Sequence, residues 1–169
     1  MNGSGDALTG NAQPVGNAPA RPEHDRSEAD DVALAFLHAY WRADLDDALA
    51  HCTEGALMEL PASVPMRTPA KIADLLPAIF HEIYPRFHGG RFDVRIDNVV
   101  SAQSSVVVEY LATGSLVSGR DFRCRYAMVL TVRNRKIEFV RSYTDTRYVT
   151  AELLAEPELA IATDSRSNS

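Results

Sequence analysis

The stretch ALAFLHAYWRADLDDALAHCTEGALMELP, residues 33–61, decides the fold. With Val32 just ahead of it, apolar side chains at Val32, Phe36, Leu37 and Tyr40 recur at helical spacing, and a second set at Leu45, Ala48 and Leu49 does the same. The pattern breaks over residues 42–46, where Asp44 is placed to cap a new helix, so two helices are predicted to meet at a corner. Upstream, Ser27 with Asp30 resembles a helix N-cap followed by an acidic first turn. Downstream, GALMELP reads as a short apolar strand that Pro61 stops.

Working outward, residues 62–68 form a loop, and Thr68 is predicted to cap a third helix with Pro69 at its first position. That helix runs to about Tyr84 and ends before Pro85. After Gly89-Gly90 the apolar period changes to two. RFDVRIDNVV, SSVVVEYLATG, DFRCRYAMVLTV and KIEFVRSYTDT are then four strand candidates, with Asn134-Arg135 as a tight hairpin turn between the last two. Helices followed by a run of antiparallel strands give an α+β order: a curved sheet with helices on one face, enclosing a pocket if it curls strongly.

The chain has 169 residues, 46% hydrophobic and 24% charged, which fits one domain of ordinary globular composition. Residues 1–26 show neither period and read as a disordered tail, residues 27–147 as the folded domain, and residues 148–169 as a short helical turn followed by a second disordered tail. No apolar run is long enough to span a membrane, and the first thirty residues lack a secretory apolar core, so a cytoplasmic protein without membrane partners is expected. With only Cys52 and Cys124, a disulfide framework is excluded, and both thiols read as inert buried groups. The five histidines form no metal-binding spacing, so no metal is expected. His88 beside the glycine pair reads as a surface loop residue.

The formal net charge of −6 argues against a general nucleic-acid binder. Residues 1–30 and 145–169 each carry a net −3, which leaves the core neutral. Seven basic groups (Arg120, Arg123, Arg125, Arg133, Arg135, Lys136 and Arg141) crowd one segment, opposed there only by Asp121 and Glu138. They are either an anion-binding patch or the solvated, paired face of strands.

Residues 33–61 resemble the opening of the SnoaL-like and ketosteroid-isomerase-like proteins, and KIEFVRSYTDT at 136–146 resembles their closing strand. The resemblance covers about residues 30–147 and implies a nuclear-transport-factor-2-like fold: an α+β roll, a cone-shaped curved antiparallel sheet packed against three helices. It further implies a homodimer, no cofactor, and an apolar small-molecule ligand in the cone. Position by position, the catalytic groups of its better-known members are missing. The proton-shuttling Asp of ketosteroid isomerase corresponds to Leu60, its oxyanion-hole Tyr to Phe36, and its second donor falls near Met128 or Val129. Leucine carries no proton and phenylalanine donates no hydrogen bond, so isomerisation by that route is excluded. The Arg and Asp pair of limonene epoxide hydrolase falls at Tyr110 and Ala112, and the last-strand acid of that enzyme and of the polyketide cyclases falls at Ser142.

The same resemblance turns Phe36, Tyr40, Met58, Leu60, Val108, Tyr110, Ala112, Val140, Ser142 and Thr144 toward the cavity. Tyr110, Ser142 and Tyr40 are then the candidate catalytic groups, able to polarise a carbonyl or orient a hydroxyl in an apolar space. Scytalone dehydratase, a relative of the same fold, uses paired tyrosines. The expected function is a cofactor-independent cyclase, dehydratase or isomerase of a bulky apolar or polycyclic substrate; the alternative is a non-catalytic dimeric domain that binds an apolar ligand or serves assembly. Strand parity stays open. A regular two-residue turn sets Ala127 opposite Ser142, whereas alternation favours Tyr126, Met128, Leu130, Ile137 and Phe139 as the buried face, and a one-residue bulge interchanges the two.

Overall fold

The computed structural model describes residues 27–154, so the two tail assignments at 1–26 and 155–169 lie outside the described residues. Helix α1 (Glu28–Trp41) begins with a reciprocal capping box: Ser27 Oγ accepts from the Asp30 backbone N–H, and Asp30 accepts from the Ser27 N–H. Such a cap contributes roughly 1 kcal/mol. Asp44 caps α2 (Leu45–Ala50) by accepting from the Asp47 N–H, and this makes the corner. Ala43, with φ 55°, turns the chain there.

Strand β1 (Cys52–Glu59) leads to a loop and then to a two-residue strand, β2 (Ala70–Lys71), that pairs back onto β1. Here the structure corrects the sequence reading. Thr68 does not cap the third helix; its hydroxyl donates to the Leu60 carbonyl and accepts from the Leu60 N–H, holding the loop to the end of β1. The residues after Pro69 extend as β2, and α3 (Ile72–Glu82) starts without a side-chain cap. The helix also ends two residues earlier than expected, passing into a 3-10 turn at Tyr84–Arg86.

The strands β3 (Asp93–Ala102), β4 (Ser105–Ser115), β5 (Asp121–Arg133) and β6 (Lys136–Thr144) form an antiparallel meander. The six-stranded sheet has the order β2-β1-β6-β5-β4-β3. The expectation of an all-antiparallel sheet is corrected at one seam: β1 runs parallel to β6, because the chain crosses the helical face between them. The architecture is a mixed α+β curved open sheet with the helices on its concave side.

The Asn134-Arg135 turn has positive φ at both residues, the signature of a two-residue hairpin loop. Its register holds for only two pairs. Val132 opposes Ile137, but Thr131 opposes Phe139, so Glu138 is an extra residue, a β-bulge. Beyond it Met128 faces Ser142 and Leu130 faces Val140, and all four are buried. The open parity is thereby resolved: Tyr126, Met128, Leu130 and Ile137 turn inward together with Val140 and Ser142, while the bulge corrects the placement of Phe139, which falls on the outer face beneath Arg141. Alternate residues of β4 and β5 turn toward the core; Phe36, Leu37, Met58, Val108, Leu130 and Val140 are each 0% exposed. Full burial of side chains of this size contributes roughly 1.5–3 kcal/mol apiece. Gly114 on β4 is a point of close approach: a Cβ there would lie 2.9 Å from the Phe87 ring.

After β6, Asp145 caps a single helical turn, α4 (Thr146–Val149), which continues as a π-helical turn over Thr150–Leu154. Leu153 and Val149 from this segment are buried in the core. No helix among the described residues is long and apolar enough to cross a membrane.

Candidate functional site

Two small cavities lie between the concave sheet and the helices. The first, of about 40 Å³, is bounded by Tyr40, Ile83, Tyr84, Phe87, Phe92, Tyr110, Ala112, Phe122, Tyr126 and Leu153. The second, of about 80 Å³, lies toward β1 and β6 against Leu60, Met66, Ile79, Ser142, Thr144 and Val149, and shares Tyr40, Ile83, Tyr126 and Leu153 with the first. No charged side chain bounds either space.

The sequence-derived residues divide into three groups. Tyr40, Tyr110 and Ala112 meet at the first cavity; Tyr40, Leu60, Ser142 and Thr144 meet at the second. Phe36, Met58, Val108 and Val140 line neither and are fully buried packing residues. Tyr126 and Tyr84 were not among the candidates. Tyr126 stood on the face that the parity question left open, and only the bulge at Glu138 turns it inward together with Ser142. Tyr84 had been assigned to the end of a regular helix.

The phenols are positioned by rigid neighbours. Tyr110 and Tyr126, paired across β4 and β5, stack with ring centroids 5.1 Å apart and planes 8° from parallel. Trp41, on the last turn of α1, meets the Tyr110 ring edge-on at 4.9 Å. Tyr40 lies one turn along α1 from Phe36, their centroids 6.4 Å apart. Tyr84 donates its hydroxyl to the Tyr40 carbonyl, so its hydrogen is committed to the scaffold.

The other three hydroxyls are tied less firmly. The Tyr110 phenol has the Trp41 indole as its side-chain hydrogen-bond neighbour, and the Tyr126 phenol has Thr144 and Cys124. Tyr40 is held by ring contacts with Phe36 and Phe80. Thr144 Oγ1, the polar neighbour of Tyr126, donates to the Arg125 carbonyl at 3.0 Å and meets Cys124 Sγ at 3.1 Å. Burial pushes the Tyr40 phenol up to about 12 and those of Tyr110 and Tyr126 well above the ordinary phenol value. All three therefore remain protonated at neutral pH and present O–H donors to an apolar space. Burial likewise pushes the Cys52 thiol up to about 12, against a smaller opposing pull from Lys136, so it stays an unreactive thiol.

The outer side of the sheet has a different character. An open groove of about 640 Å³ lies where β6 departs from β5; Glu109, Arg123, Arg125, Tyr143 and Asp145 bound it, and it reaches in to Tyr110 and Tyr126. The basic run is mostly paired. Arg120 meets Glu152, Arg125 meets Asp97, Arg133 meets Glu138, Arg135 meets Glu28 and Arg141 meets Glu59, while Lys136 donates to the Ala50 carbonyl. Of the two readings of that run, the paired strand face is the one that the structure displays. Among the described residues, no group of three or more His, Cys, Asp or Glu side chains is placed to hold a metal ion.

With that geometry in place, comparison with known proteins defines the class. Residues 33–140 match the SnoaL-like domain family, and the chain belongs to that family within the nuclear-transport-factor-2-like superfamily. A protein from Jannaschia sp. CCS1 assigned as a SnoaL-like polyketide cyclase superposes with a TM-score of 0.65 at 19% identity, covering 79% of this chain and 99% of its own. A nuclear-transport-factor-2-like protein from Burkholderia thailandensis E264 gives 0.64 at 22% identity, covering 78% and 99%. An epoxide hydrolase from M. tuberculosis, of the limonene-epoxide-hydrolase-like kind, gives 0.56 at 21% identity, covering 75% and 90%. At these identities the likeness is one of fold. No curated protein matches the chain.

Proposed function

We propose that this chain is a cofactor-independent SnoaL-like enzyme that cyclises, dehydrates or isomerises a bulky apolar or polycyclic small molecule. The carrying observation is the set of three protonated phenols, Tyr40, Tyr110 and Tyr126, that converge on a small and largely apolar space. A buried O–H donor gains free energy when a ligand acceptor completes it. A substrate carbonyl would accept from Tyr110 and Tyr40, and charge growing on that oxygen in the transition state would strengthen those bonds in a water-poor site. Ser142 and Thr144 would orient a second oxygen at the other cavity. The likeness in fold to a cyclase and an epoxide hydrolase supports small-molecule chemistry of this general kind.

The assembly we propose is a homodimer, in a cytoplasmic setting, formed through the outer sheet face, where Tyr143 is 53% exposed. A second reading rests on one specific observation: no carboxylate or histidine bounds either cavity, so no side chain there is suited to remove a proton from carbon. On that reading the chain binds an apolar ligand without converting it.

The test is native mass spectrometry of the purified protein, followed by assay of whatever class of compound it carries. Tyr110→Phe should lower turnover about 100-fold, as loss of one transition-state donor does, while the fold is unchanged. Full activity in both Tyr110→Phe and Ser142→Ala would remove this assignment. A recovered ligand that the protein never alters would favour the second reading.

A further inference from the structure

Each cavity is smaller than the several hundred Å³ that a small-molecule site usually provides. The partition between them is made of four side chains: Tyr40, Ile83, Tyr126 and Leu153. Three of these are held firmly. Tyr40 is in α1, with its carbonyl bound by Tyr84; Ile83 closes α3 through its N–H to the Ile79 carbonyl; Tyr126 is mid-strand in β5. Leu153 differs, because its segment belongs neither to the sheet nor to the three long helices.

The ties of that segment are few and peripheral. The Arg123 N–H donates to Tyr148 Oη at 3.1 Å, Tyr148 rests on the Phe122 ring at 5.4 Å, and Glu152 meets Arg120 at 3.1 Å. The segment ends in a π-helical turn, a rare form that recurs at functional positions. Its deep anchors are Leu153, 2% exposed, and Val149, 7% exposed, and of the two only Leu153 borders both cavities.

We propose that Thr146–Leu154 is a plug hinged at the end of β6, and that Leu153 is its gate. When Leu153 withdraws, the two cavities and the space that it vacates become one chamber. The chamber admits an uncharged, flat, apolar ligand carrying a hydrogen-bond acceptor at each end. One acceptor meets the phenols of Tyr110 and Tyr126, the other the hydroxyl of Ser142. Absence of charge in the ligand follows from the walls, since an ion placed there would lose its hydration without gaining a partner. This inference rests on the reading of the cavities as a ligand site. It adds the class of ligand and the element that controls entry.

The probe is anthraquinone, neutral and flat with two opposed carbonyls, followed by quenching of Trp41, the only tryptophan in the chain. Anthraquinone-2-sulfonate is its charged counterpart. If the closed plug limits binding, apparent affinity scales with the open population, so Leu153→Ala should bind anthraquinone at least about tenfold more tightly than the wild type. Glu152→Gln, which only releases the Arg120 pair, should give about a threefold gain and covers the case in which the first variant folds poorly. The sulfonate should bind at least about tenfold more weakly than the neutral compound throughout. Hydrogen exchange should find the amides of Thr146–Leu154 opening faster than those of β5 and β6, and slowing when anthraquinone is bound.

Equal binding by wild type and both variants overturns the plug and leaves the ligand site standing. Failure of all three to bind, while the segment exchanges quickly, overturns the ligand site. Exchange in the segment as slow as in the sheet overturns the gate, and equal binding of the sulfonate overturns the neutral-ligand class.

Discussion

Strand β5 carries two different surfaces on alternate residues. Phe122, Cys124, Tyr126, Met128 and Leu130 face the helices; Arg123, Arg125, Ala127 and Val129 face away. The inner set works by exclusion of water, and its polar members are phenols that the fold keeps protonated. The outer set works by charge neutralisation. Arg95 and Arg125 both reach Asp97: desolvation pushes its carboxyl up, but the hydrogen bonds and charges of the two guanidinium groups together hold it below the usual range. Between those guanidinium groups, Leu111 is only 5% exposed although it points away from the main core. The stems of long arginines cover apolar surface while their heads stay wet. Perturbed groups are thus gathered on one face: a phenol on the inner wall is shifted by its surroundings, and a charge on the outer wall is buffered by water and a counter-charge.

The comparison predicts a wide spread of mutational effects, the largest on the inside. Phe36→Ala should cost about 3–5 kcal/mol in chemical denaturation, since the ring is fully buried beside Leu37 and cannot be replaced by solvent. A loss below about 1 kcal/mol would mean that the core collapses around the gap.

The second effect is one of pH. A phenol whose folded pKa is raised contributes stability that is whole below its unfolded value near 10 and is lost as pH climbs through the folded value, about 12 for Tyr40. A shift of that size corresponds to roughly 2–3 kcal/mol. Thermal midpoints should therefore fall steeply between pH 10 and 12, and Tyr40→Phe should flatten part of that fall. A curve identical to the wild type would show that the Tyr40 phenol is wet.

Third, deleting Glu138 should keep the same inward set. Without the bulge the strand alternates regularly from Ile137, and Val140 and Ser142 still oppose Leu130 and Met128. We expect a change of about 1 kcal/mol or less, with through-space contacts between Met128 and Ser142 retained in the NMR spectrum. Loss of those contacts would show that the bulge sets the twist that pairing requires.

The smallest effect belongs outside. Arg141→Ala removes an exposed pair with Glu59 and should change stability by about 0–1 kcal/mol, less at high salt. A loss above about 2 kcal/mol would break the comparison and assign the outer face a structural load, whether through the pair or through Arg141 lying over Phe139 at 4.9 Å.

Local signals made most of the fold legible in the sequence. The Ser27 and Asp44 caps, the corner between α1 and α2, and the alternation of the four long strands are all decided within a few residues of the group that signals them. What stayed hidden depends on distant partners. Thr68 looked like a cap because it precedes a proline, yet its hydroxyl is taken by Leu60, eight residues earlier. The bulge at Glu138 exists because both strands bury their apolar sides, a demand visible only when β5 and β6 are paired. At the site, Tyr40, Tyr110 and Ser142 were readable from the resemblance in their chain positions. Tyr126 depended on the bulge, and Leu153 on a terminal segment folding back over the cone.

Gly114 has a meaning beyond permitting a tight fit. A methyl group there would push against the Phe87 ring, and that ring is a wall of the first cavity. Position 114 thus acts as a set screw on the bore of the cone. The absence of a side chain on β4 leaves room for the Phe87 ring, so substitution there would narrow the space from behind, by moving its wall rather than by entering it.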